Sequence, residues 1–255
     1  MIRLFITGIT GAMGQMIVNL ASEYDCFSVV GGLGKTLETP TSYPVFANLT
    51  DVSAHLEFDV LIDFSTASLV NQIIAFAKER CKPAIICTTG LSDATEQTLK
   101  EASNHIAIFK SGNMSVGVHL ISKLLKQAAQ VIGETSDIEI IEKHHRRKLD
   151  SPSGTALMLA DAINLGLPQN RKIELGRESV GSKDRETLNI HSVRGGTIVG
   201  EHEVIFAGED EVITLSHGAY SRRVFAKGAL DAAKFILNKP CGRYDMNDLL
   251  DEKLL

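Results

Sequence analysis

The sequence predicts an α/β protein with an N-terminal Rossmann-type doubly wound parallel sheet and a second α+β domain built on a mixed or antiparallel sheet. Over about the first 110 residues, nearly continuous apolar runs alternate with amphipathic helical segments, as in a parallel sheet covered on both faces. After Gly117, several segments alternate between apolar and polar residues, which indicates strands with one exposed face. This change of pattern predicts a domain boundary near residue 113.

The N-terminal part contains five short apolar runs that predict the strands of the parallel sheet. These runs cover residues 3–7, 27–30, 59–64, 83–87 and 106–109. Apolar residues at helical spacing predict helices over residues 13–20 and 69–78. Short strands that alternate with helices in this way favour a doubly wound sheet.

The C-terminal part predicts a different order of elements. The first of these are a helix over residues 118–132, a strand over 137–142, a polar basic loop and a helix from Gly154. Alternating strands follow within residues 188–216. We expect a final helix over residues 224–237 to return to the first domain. The expected domains are residues 1–113 with about 224–255, and residues 114–223.

Composition excludes several classes of protein. The 255 residues are 44% hydrophobic and 22% charged, which excludes disordered and fibrous chains. A net charge of −5, 5% aromatic residues and the absence of tryptophan argue against a nucleic-acid partner. From the short apolar run that follows Arg3 we expect no signal peptide, and no apolar stretch approaches the roughly 18 residues of a membrane span. The cysteines lack metal-ligand spacing and fit a reducing cytoplasm: Cys26, Cys81, Cys87 and Cys241.

A glycine-rich turn follows the first predicted strand and predicts a dinucleotide site. Its sequence is Gly8-Ile9-Thr10-Gly11-Ala12-Met13-Gly14. Glycines at this spacing permit a tight turn, let a pyrophosphate approach the backbone and allow helix and strand to pack closely. The alternative is an ordinary glycine-rich connection between a strand and a helix. The position directly after the first strand favours the dinucleotide interpretation.

The end of the second predicted strand bears on the choice of cofactor. An NAD-preferring site usually has an acidic residue here to hold the ribose diol. This strand ends instead in Gly34 and Lys35, and a cation without a carboxylate suits a 2′-phosphate. NADPH is therefore favoured over NADH, although Lys35 is equally compatible with a solvated loop residue.

Three further turns follow predicted strands, at the sheet edge where open α/β sheets bind ligands. They are Asp63-Phe64-Ser65-Thr66, Cys87-Thr88-Thr89-Gly90 and Ser111-Gly112-Asn113-Met114. Small and hydroxyl-bearing residues permit close approach to a nicotinamide ribose or amide. Plain turns are the alternative interpretation of the same segments.

The densest polar segment predicts an anion-binding site with titratable charge. It contains the run His144-His145-Arg146-Arg147-Lys148 and then a helix start at Ser153-Gly154-Thr155-Ala156. Ser153 has the character of an N-cap, which leaves the N–H groups of residues 154–156 pointing outward. A helix N-terminus and converging cations can hold carboxylates, and a histidine can donate a proton. The alternative is a solvated basic loop, and the adjacent helix start argues against it.

At this segment the sequence resembles the dihydrodipicolinate reductases. The pattern Glu-Ile-Ile-Glu-x-His-His-x-x-Lys-x-Asp-x-Pro-Ser-Gly-Thr-Ala over residues 139–156 is similar to the signature of that family. The similarity extends over nearly the whole chain, and its other matching segments are 8–14, 88–90, 113–117, 193–202 and 225–229.

The resemblance implies a reaction and a set of residue roles. The reaction is NAD(P)H-dependent reduction of a small dianion, 4-hydroxy-tetrahydrodipicolinate, to tetrahydrodipicolinate in the diaminopimelate and lysine pathway. It implies that His144 donates the proton with Lys148 as its partner, and that residues 1–113 bind the dinucleotide. The implied carboxylate-binding residues are His145, Lys148, Gly154 and Thr155. The implied cofactor contacts are Gly8 to Met13, Lys35, Cys87 to Thr89 and Ser111 to Met114.

The resemblance further implies a homotetramer assembled through the sheet of residues 114–223, with the two domains closing over the ligands. Three positions depart from the family pattern. Many relatives have an acidic residue at Gly34, a glycine at Cys87 and a histidine at Arg147. The change at Gly34 puts the usual acceptance of both nicotinamide cofactors in doubt.

Two other functions fit part of the sequence. Another two-domain nicotinamide dehydrogenase would keep the glycine turn, but it has no need for His-His-x-x-Lys beside Ser-Gly-Thr. A non-catalytic sensor would bind NADPH and a partner protein without turnover. A metal site at His202 is not expected, because strand alternation places Glu201 and Glu203 on the opposite face.

Overall fold

The computed structural model describes residues 1–35, 41–177 and 180–254. The chain divides into two compact units, Met1–Ser115 with Arg223–Leu255, and Val116–Arg222. Leu255, at the end of the expected last segment, lies outside the described residues. Within the described ranges, no helix combines the length and the apolar character that crossing a bilayer requires.

The strands and helices alternate along the chain as follows. The strands are β1 (Ile2–Thr7), β2 (Phe27–Leu33), β3 (Val45–Phe46), β4 (Val60–Asp63), β5 (Ala84–Ile86), β6 (Ala107–Lys110), β7 (Asp137–His144), β8 (Lys172–Leu175), β9 (Thr187–Arg194), β10 (Gly200–Ala207), β11 (Val212–Ala219) and β12 (Gly242–Tyr244). The α-helices are α1 (Ala12–Ala21), α2 (Val70–Glu79), α3 (Asp93–Ala102), α4 (Val116–Ile132), α5 (Gly154–Asn164), α6 (Arg223–Ile236) and α7 (Met246–Leu254).

The first unit is built on a seven-stranded sheet in the order β12-β6-β5-β4-β1-β2-β3. All six pairs of neighbouring strands are parallel. Leu4, Phe5 and Ile6 of β1 and the apolar side chains of β4 and β5 are buried, as expected for a sheet covered on both faces. From β1 the chain winds to β2 on one side and β4 on the other, so a ligand-binding crevice is expected where β1 and β4 end.

The second unit is built on a mixed five-stranded sheet in the order β11-β10-β7-β9-β8. Strand β7 is antiparallel to β10 and parallel to β9. Along β7, buried residues alternate with half-buried ones, so Ile138, Ile140, Glu142 and His144 share the buried face. Apolar side chains of α4 and α5 complete the core on that face.

The predicted fold class is confirmed, and each predicted strand of the parallel sheet is present with shifted ends. The strand predicted over residues 137–142 was two residues too short. Lys143 and His144 continue it because they pair with Val193 and Arg194 of β9. Strands β3, β8 and β12 and helices α3 and α7 were not predicted.

Candidate active site

The backbone of the glycine turn in the first unit leaves no room for a side chain at Gly8 or Gly14. Gly8 adopts a φ of +77°, and a Cβ there would lie 2.4 Å from the carbonyl oxygen of Phe64. A Cβ at Gly14 would lie 2.3 Å from the carbonyl oxygen of Gly8. Side chains would therefore separate β1, the turn and α1, which begins directly after Gly11. Only glycine allows this close packing.

A cavity of about 1,010 Å³ opens beside the turn. Four of the expected cofactor contacts line it, namely Gly8, Thr10, Gly11 and Lys35. Gly34, which precedes Lys35, also lines it. Residues that follow β3 and β4 line its other walls, among them Asn48, Ser65 and Thr66. Its size suits a nucleotide-sized ligand, since small-molecule sites are typically about 300–1,000 Å³.

The remaining residues of the turn differ in what they offer a ligand. Ile9 is completely buried, and its backbone N–H donates to the Leu33 carbonyl oxygen at 3.1 Å, so it shapes the turn and has no free donor for a ligand. Ala12 and Met13 begin α1, where N–H groups of a helix N-terminus lie free of intrahelical partners. The turn therefore offers backbone donors and space more than side-chain chemistry.

Gly34 and Lys35 lie beside Thr10 of the turn. The backbone N–H of Lys35 donates to Thr10 Oγ1 at 3.1 Å. A Cβ at Gly34 would lie 2.8 Å from both Oγ1 and Cγ2 of Thr10. A carboxylate side chain at position 34 would therefore require Thr10 to move.

Asp63 joins the ends of the central strands through its buried carboxylate. Oδ1 accepts from Thr7 Oγ1 at 2.7 Å and from the Ser65 backbone N–H at 3.0 Å. Oδ2 accepts from Thr88 Oγ1 at 2.7 Å. These bonds tie β1, β4 and the turn after β5 together at the carboxyl edge of the sheet. Sequence reasoning placed Asp63 near the cofactor but did not find this role.

The turns after β5 and β6 lie at the same edge of the sheet, outside the residues that line the cavity. Cys87 is buried, and burial raises the pKa of its thiol well above the usual value, so the thiol stays protonated. Lys110 donates from Nζ to the Thr88 carbonyl oxygen at 2.8 Å, and burial lowers its pKa. Ser111 Oγ donates to the Asn113 carbonyl oxygen at 2.6 Å. Thr89, Gly112 and Met114 complete these turns.

In the second unit, His144 forms a buried pair with Glu142. The two side chains share the buried face of β7, and His144 Nδ1 lies 2.6 Å from Glu142 Oε2. Arg194 of β9 donates two hydrogen bonds of 2.7 Å to the same carboxylate, from NH1 to Oε2 and from NH2 to Oε1. Period-2 alternation places the pair on one face, and the pairing of β7 with β9 brings Arg194 opposite His144.

Hydrogen bonds and burial set the charge states of this group. Burial raises the pKa of Glu142, but hydrogen bonds from Arg194, Ser192 and His144 outweigh burial and lower that pKa to about 2. Burial lowers the pKa of His144, and the Glu142 carboxylate opposes this effect. The positive charges of Lys148 and Arg194 lower the pKa of His144 further. Glu142 is therefore an ionised acceptor at neutral pH.

The start of α5 is built into the same network. The Ser153 backbone N–H donates to Glu142 Oε1 at 3.1 Å, and Ser153 Oγ lies 2.9 Å from His202 Nε2. Ser153 is the predicted N-cap, since its Oγ accepts from the Ala156 N–H at 3.1 Å. That bond corrects the expectation that the Ala156 N–H points outward to a ligand.

The other predicted substrate-binding residues lie around this helix start. Lys148 forms an ion pair of 2.8 Å with Asp150 in the basic loop. His145 is half-buried, and its Nδ1 has no hydrogen-bond partner among the described residues. A Cβ on Gly154 would meet nothing within 4 Å, and Thr155 follows in the first turn of α5. No group of three or more metal-ligand side chains occurs within the described ranges.

The organisation defines the class of the protein as a nicotinamide-dependent reductase with a Rossmann-type unit and a second unit on a mixed sheet. Comparison with known families specifies it further. The sequence model described as dihydrodipicolinate reductase, N-terminus, matches residues 2–114, and the one described as dihydrodipicolinate reductase, C-terminus, matches residues 117–250. The chain belongs to the dihydrodipicolinate reductase family. It is an oxidoreductase of diaminopimelate and lysine biosynthesis.

Individual relatives cover nearly the full chain. The 4-hydroxy-tetrahydrodipicolinate reductase of Caldanaerobacter subterraneus subsp. tengcongensis is 49% identical over 251 residues, 98% of each chain. That of Clostridium tetani is 41% identical over 251 residues, again 98% of each chain. The dipicolinate-bound dihydrodipicolinate reductase from Paenisporosarcina sp. TG-14 has a similar structure. It has a TM-score of 0.82 and 27% identity, and the match covers 97% of this chain and 99% of that one.

Proposed function

We propose that the chain reduces 4-hydroxy-tetrahydrodipicolinate to tetrahydrodipicolinate and that His144 supplies the proton. One NAD(P)H and one proton are consumed, and NAD(P)+ and one water are released for each substrate. The observation that carries the proposal is the buried Glu142–His144 pair beside the helix start of α5, on a chain of this family. A charged network at a helix N-terminus suits an anionic substrate with a group that accepts a proton.

The first unit is proposed to hold the cofactor. The glycine turn fits a dinucleotide because side chains at Gly8 and Gly14 would collide with backbone, whereas the space beside Gly11 is a large cavity. When bound, the reduced nicotinamide supplies the hydride. We assign the phosphate and ribose contacts to Gly8 to Met13 and to Lys35. We assign the nicotinamide contacts to Cys87 to Thr89 and Ser111 to Met114.

NADPH is the proposed preferred cofactor. Thr10 occupies the space that a carboxylate at position 34 would need, and Lys35 is exposed at the rim of the cavity. A Lys35 ammonium can pair with the 2′-phosphate of NADPH. For NADH, position 34 provides no carboxylate to accept hydrogen bonds from the ribose hydroxyls.

The second unit is proposed to bind the two carboxylates of the substrate. The open space at Gly154 and the N-terminus of α5 suit one carboxylate, with Thr155 beside it. Lys148 and His145 suit the other. Lys148 forms an ion pair with the Asp150 carboxylate. A substrate carboxylate could replace Asp150 as the partner of Lys148, because the two groups have the same charge and shape. The Paenisporosarcina relative binds dipicolinate, a flat ring with two carboxylates, and thus supports this assignment.

We extend the proposal to assembly and compartment. A homotetramer formed through the sheet of the second unit is consistent with edge strand β11, where Val212 and Ile213 expose 63% and 39% of their surface. A reducing cytoplasm is consistent with the four free cysteines. Partners are expected to be the small dianion and further copies of the chain, with neither nucleic acid nor membrane involved.

The proposal is tested by following oxidation of NADPH and NADH in parallel. The unstable substrate is generated in the cuvette from pyruvate and aspartate semialdehyde by the preceding synthase. We expect oxidation that depends on the synthase, is faster with NADPH and is inhibited by dipicolinate in competition with substrate. A protein that binds NADPH but consumes neither cofactor would contradict the assignment and favour the sensor function.

A further inference from the structure

The Glu142–Arg194 ion pair carries an inference about the chemistry of His144. We propose that Glu142, held by Arg194, is a positioning residue that fixes which nitrogen of His144 carries the transferable proton. Gly200 is the second part of this arrangement, because it keeps open the space in front of that nitrogen. The inference rests on the proposed role of His144 as proton donor and specifies the atom through which that role is performed.

The charge state of Glu142 determines the tautomer of His144. The Glu142 side chain is fully buried, and Arg194, Ser153 and His144 surround its carboxylate. Arg194 and the Ser153 N–H can only donate, and an ionised carboxylate can only accept. The contact of 2.6 Å therefore requires a proton on His144 Nδ1. A neutral His144 is thus the Nδ1–H tautomer, and Nε2 is the atom that gains and loses the second proton.

Gly200 lies in front of Nε2. A Cβ added at this first residue of β10 would lie 3.1 Å from Nε2 and 3.4 Å from Cδ2 of His144. Any side chain here would press on the nitrogen that exchanges the proton. Strand β10 pairs with β7, so this approach of backbone to imidazole is fixed by the sheet.

Arg194 fixes the carboxylate in both direction and charge. Its two bonds take both oxygens of Glu142, which leaves little freedom for the carboxylate to rotate. NH2 of Arg194 also donates to the Asp150 carbonyl oxygen at 2.8 Å. The same guanidinium thus holds the histidine partner and the loop that carries Lys148.

The charged and titratable groups that face His144 come from three strands and one loop. They are Glu142 on β7, Arg194 on β9, His202 on β10 and Lys148 in the loop after β7. Glu142 is the group that raises the pKa of His144, whereas burial, Lys148 and Arg194 lower it. Burial lowers the pKa of His202 to about 4, so His202 is neutral near pH 7. Removing the Glu142 charge is therefore expected to make His144 harder to protonate.

The direct test is the tautomer of His144, read by ¹⁵N NMR of protein labelled at the histidine ring nitrogens. The His144 signals are identified by their loss in His144→Gln. We expect the Nδ1–H tautomer in the wild-type protein above the pKa of His144. An Nε2–H tautomer would overturn the inference. This measurement needs neither turnover nor a variant at Glu142.

A double variant tests whether the ion pair is the cause. Glu142→Leu with Arg194→Met removes both charges together, which avoids leaving a single buried ion. We expect the Nδ1–H preference to be lost and Nε2–H to predominate. Glu139→Gln is the matched control, since Glu139 lies on the opposite face of β7 and contacts His191 Nε2 at 2.7 Å. It should leave the His144 tautomer unchanged. An unchanged tautomer in the folded double variant would contradict the inference.

The pH profile separates positioning from general damage. In Glu142→Gln, the loss of activity at high pH should begin about one pH unit lower than in the wild type, because an adjacent carboxylate stabilises the imidazolium. Where both profiles fall with rising pH, this predicts a roughly tenfold loss of kcat with less than about a twofold change in KM. An unshifted profile would contradict the inference. A fully active His144→Gln would instead overturn the proposed function, while the tautomer measurement would still stand.

Discussion

His144 and His202 meet edge to face, with ring centroids 5.2 Å apart and an interplanar angle of 74°. His202 lies on β10, which pairs with β7, and Ser153 contacts its Nε2. Burial lowers the pKa of His202 to about 4. A protonated His144 therefore has a neutral neighbour at physiological pH, and the pair can carry one positive charge without repulsion between the rings.

This relationship predicts a pH-dependent stability. Between about pH 6.5 and pH 4, unfolded His202 binds a proton that the folded form excludes, so the free energy of unfolding should fall as the pH is lowered. The loss is expected to be on the order of 2 kcal/mol across this window. Urea denaturation at pH 7, 5.5 and 4 would measure it.

The matched comparison is between His202→Asn and His55→Gln. His55 is exposed and lies in the first unit, so its replacement should leave the pH dependence intact. His202→Asn should reduce the dependence between pH 6.5 and 4, and the part that remains comes from His144 and His217, whose pKa values burial also lowers. Equal pH dependence in the wild type and His202→Asn would contradict the assignment of the effect to His202.

Gly200→Ala is predicted to impair catalysis with little effect on binding. Its Cβ would crowd His144 Nε2, and we expect kcat to fall about tenfold, equivalent to about 1.4 kcal/mol in the activation barrier. Gly218→Ala is the control, because Gly218 lies on the neighbouring strand β11 and its Cβ would meet only Glu201 at 3.9 Å. Steady-state kinetics should show wild-type kcat in the control. A fully active Gly200→Ala would show that the approach of Gly200 to Nε2 has no role.

A gain in the use of NADH through a carboxylate at position 34 should require two positions to change together. Gly34→Asp alone places a side chain against Thr10 and should weaken both cofactors. Gly34→Asp with Thr10→Ala provides a carboxylate and the space for it, which should raise the NADH to NADPH ratio of kcat/KM by about tenfold or more. Lys35→Gln should raise KM for NADPH and leave KM for NADH unchanged. An equal effect of Lys35→Gln on the two cofactors would exclude a contact with the 2′-phosphate.

Asp63→Asn is predicted to loosen the edge of the parallel sheet at the cofactor site. One oxygen that accepts hydrogen bonds becomes an NH₂ group, so a donor from Thr7, Ser65 or Thr88 loses its partner. We expect about 1–2 kcal/mol lower stability and a several-fold weaker affinity for NADPH, measured by calorimetry.

Asp59→Asn is the control for that experiment. Asp59 precedes the same strand at its opposite end and pairs with Arg3, with Oδ1 2.6 Å from the guanidinium. Its replacement should lower stability while leaving NADPH affinity unchanged. If both variants weakened NADPH binding equally, the effect of Asp63→Asn would be one of general stability.

The parallel sheet was predictable because its strands are buried on both faces and read as continuous apolar runs. Strands β3 and β12 were missed because two or three residues carry no periodicity. Helix α3 was missed because its composition is polar and only Thr95, Leu99 and Ala102 are buried. Its N-cap, Ser92, followed by Asp93 and Glu96, was a signal that could have found it.

The network around His144 was only partly predictable. Ending the strand at Glu142 hid the fact that Glu142 and His144 share one buried face. Carrying the alternation two residues further would have paired them. Arg194 and His202 lie about 50 residues or more from His144 in sequence, and strand pairing brings them to the site. The local sequence pattern does not specify such pairings.

The most direct test of the account is the turnover of His144→Gln at saturating substrate and NADPH, compared with the wild type at the same pH. The account predicts a fall in kcat of at least about a hundredfold, as expected for loss of a general acid, with KM for both ligands within a few-fold. The ring signals of the other histidines and the unfolding temperature would show that the fold is retained. A His144→Gln enzyme with wild-type kcat would contradict the central claim that His144 supplies the proton.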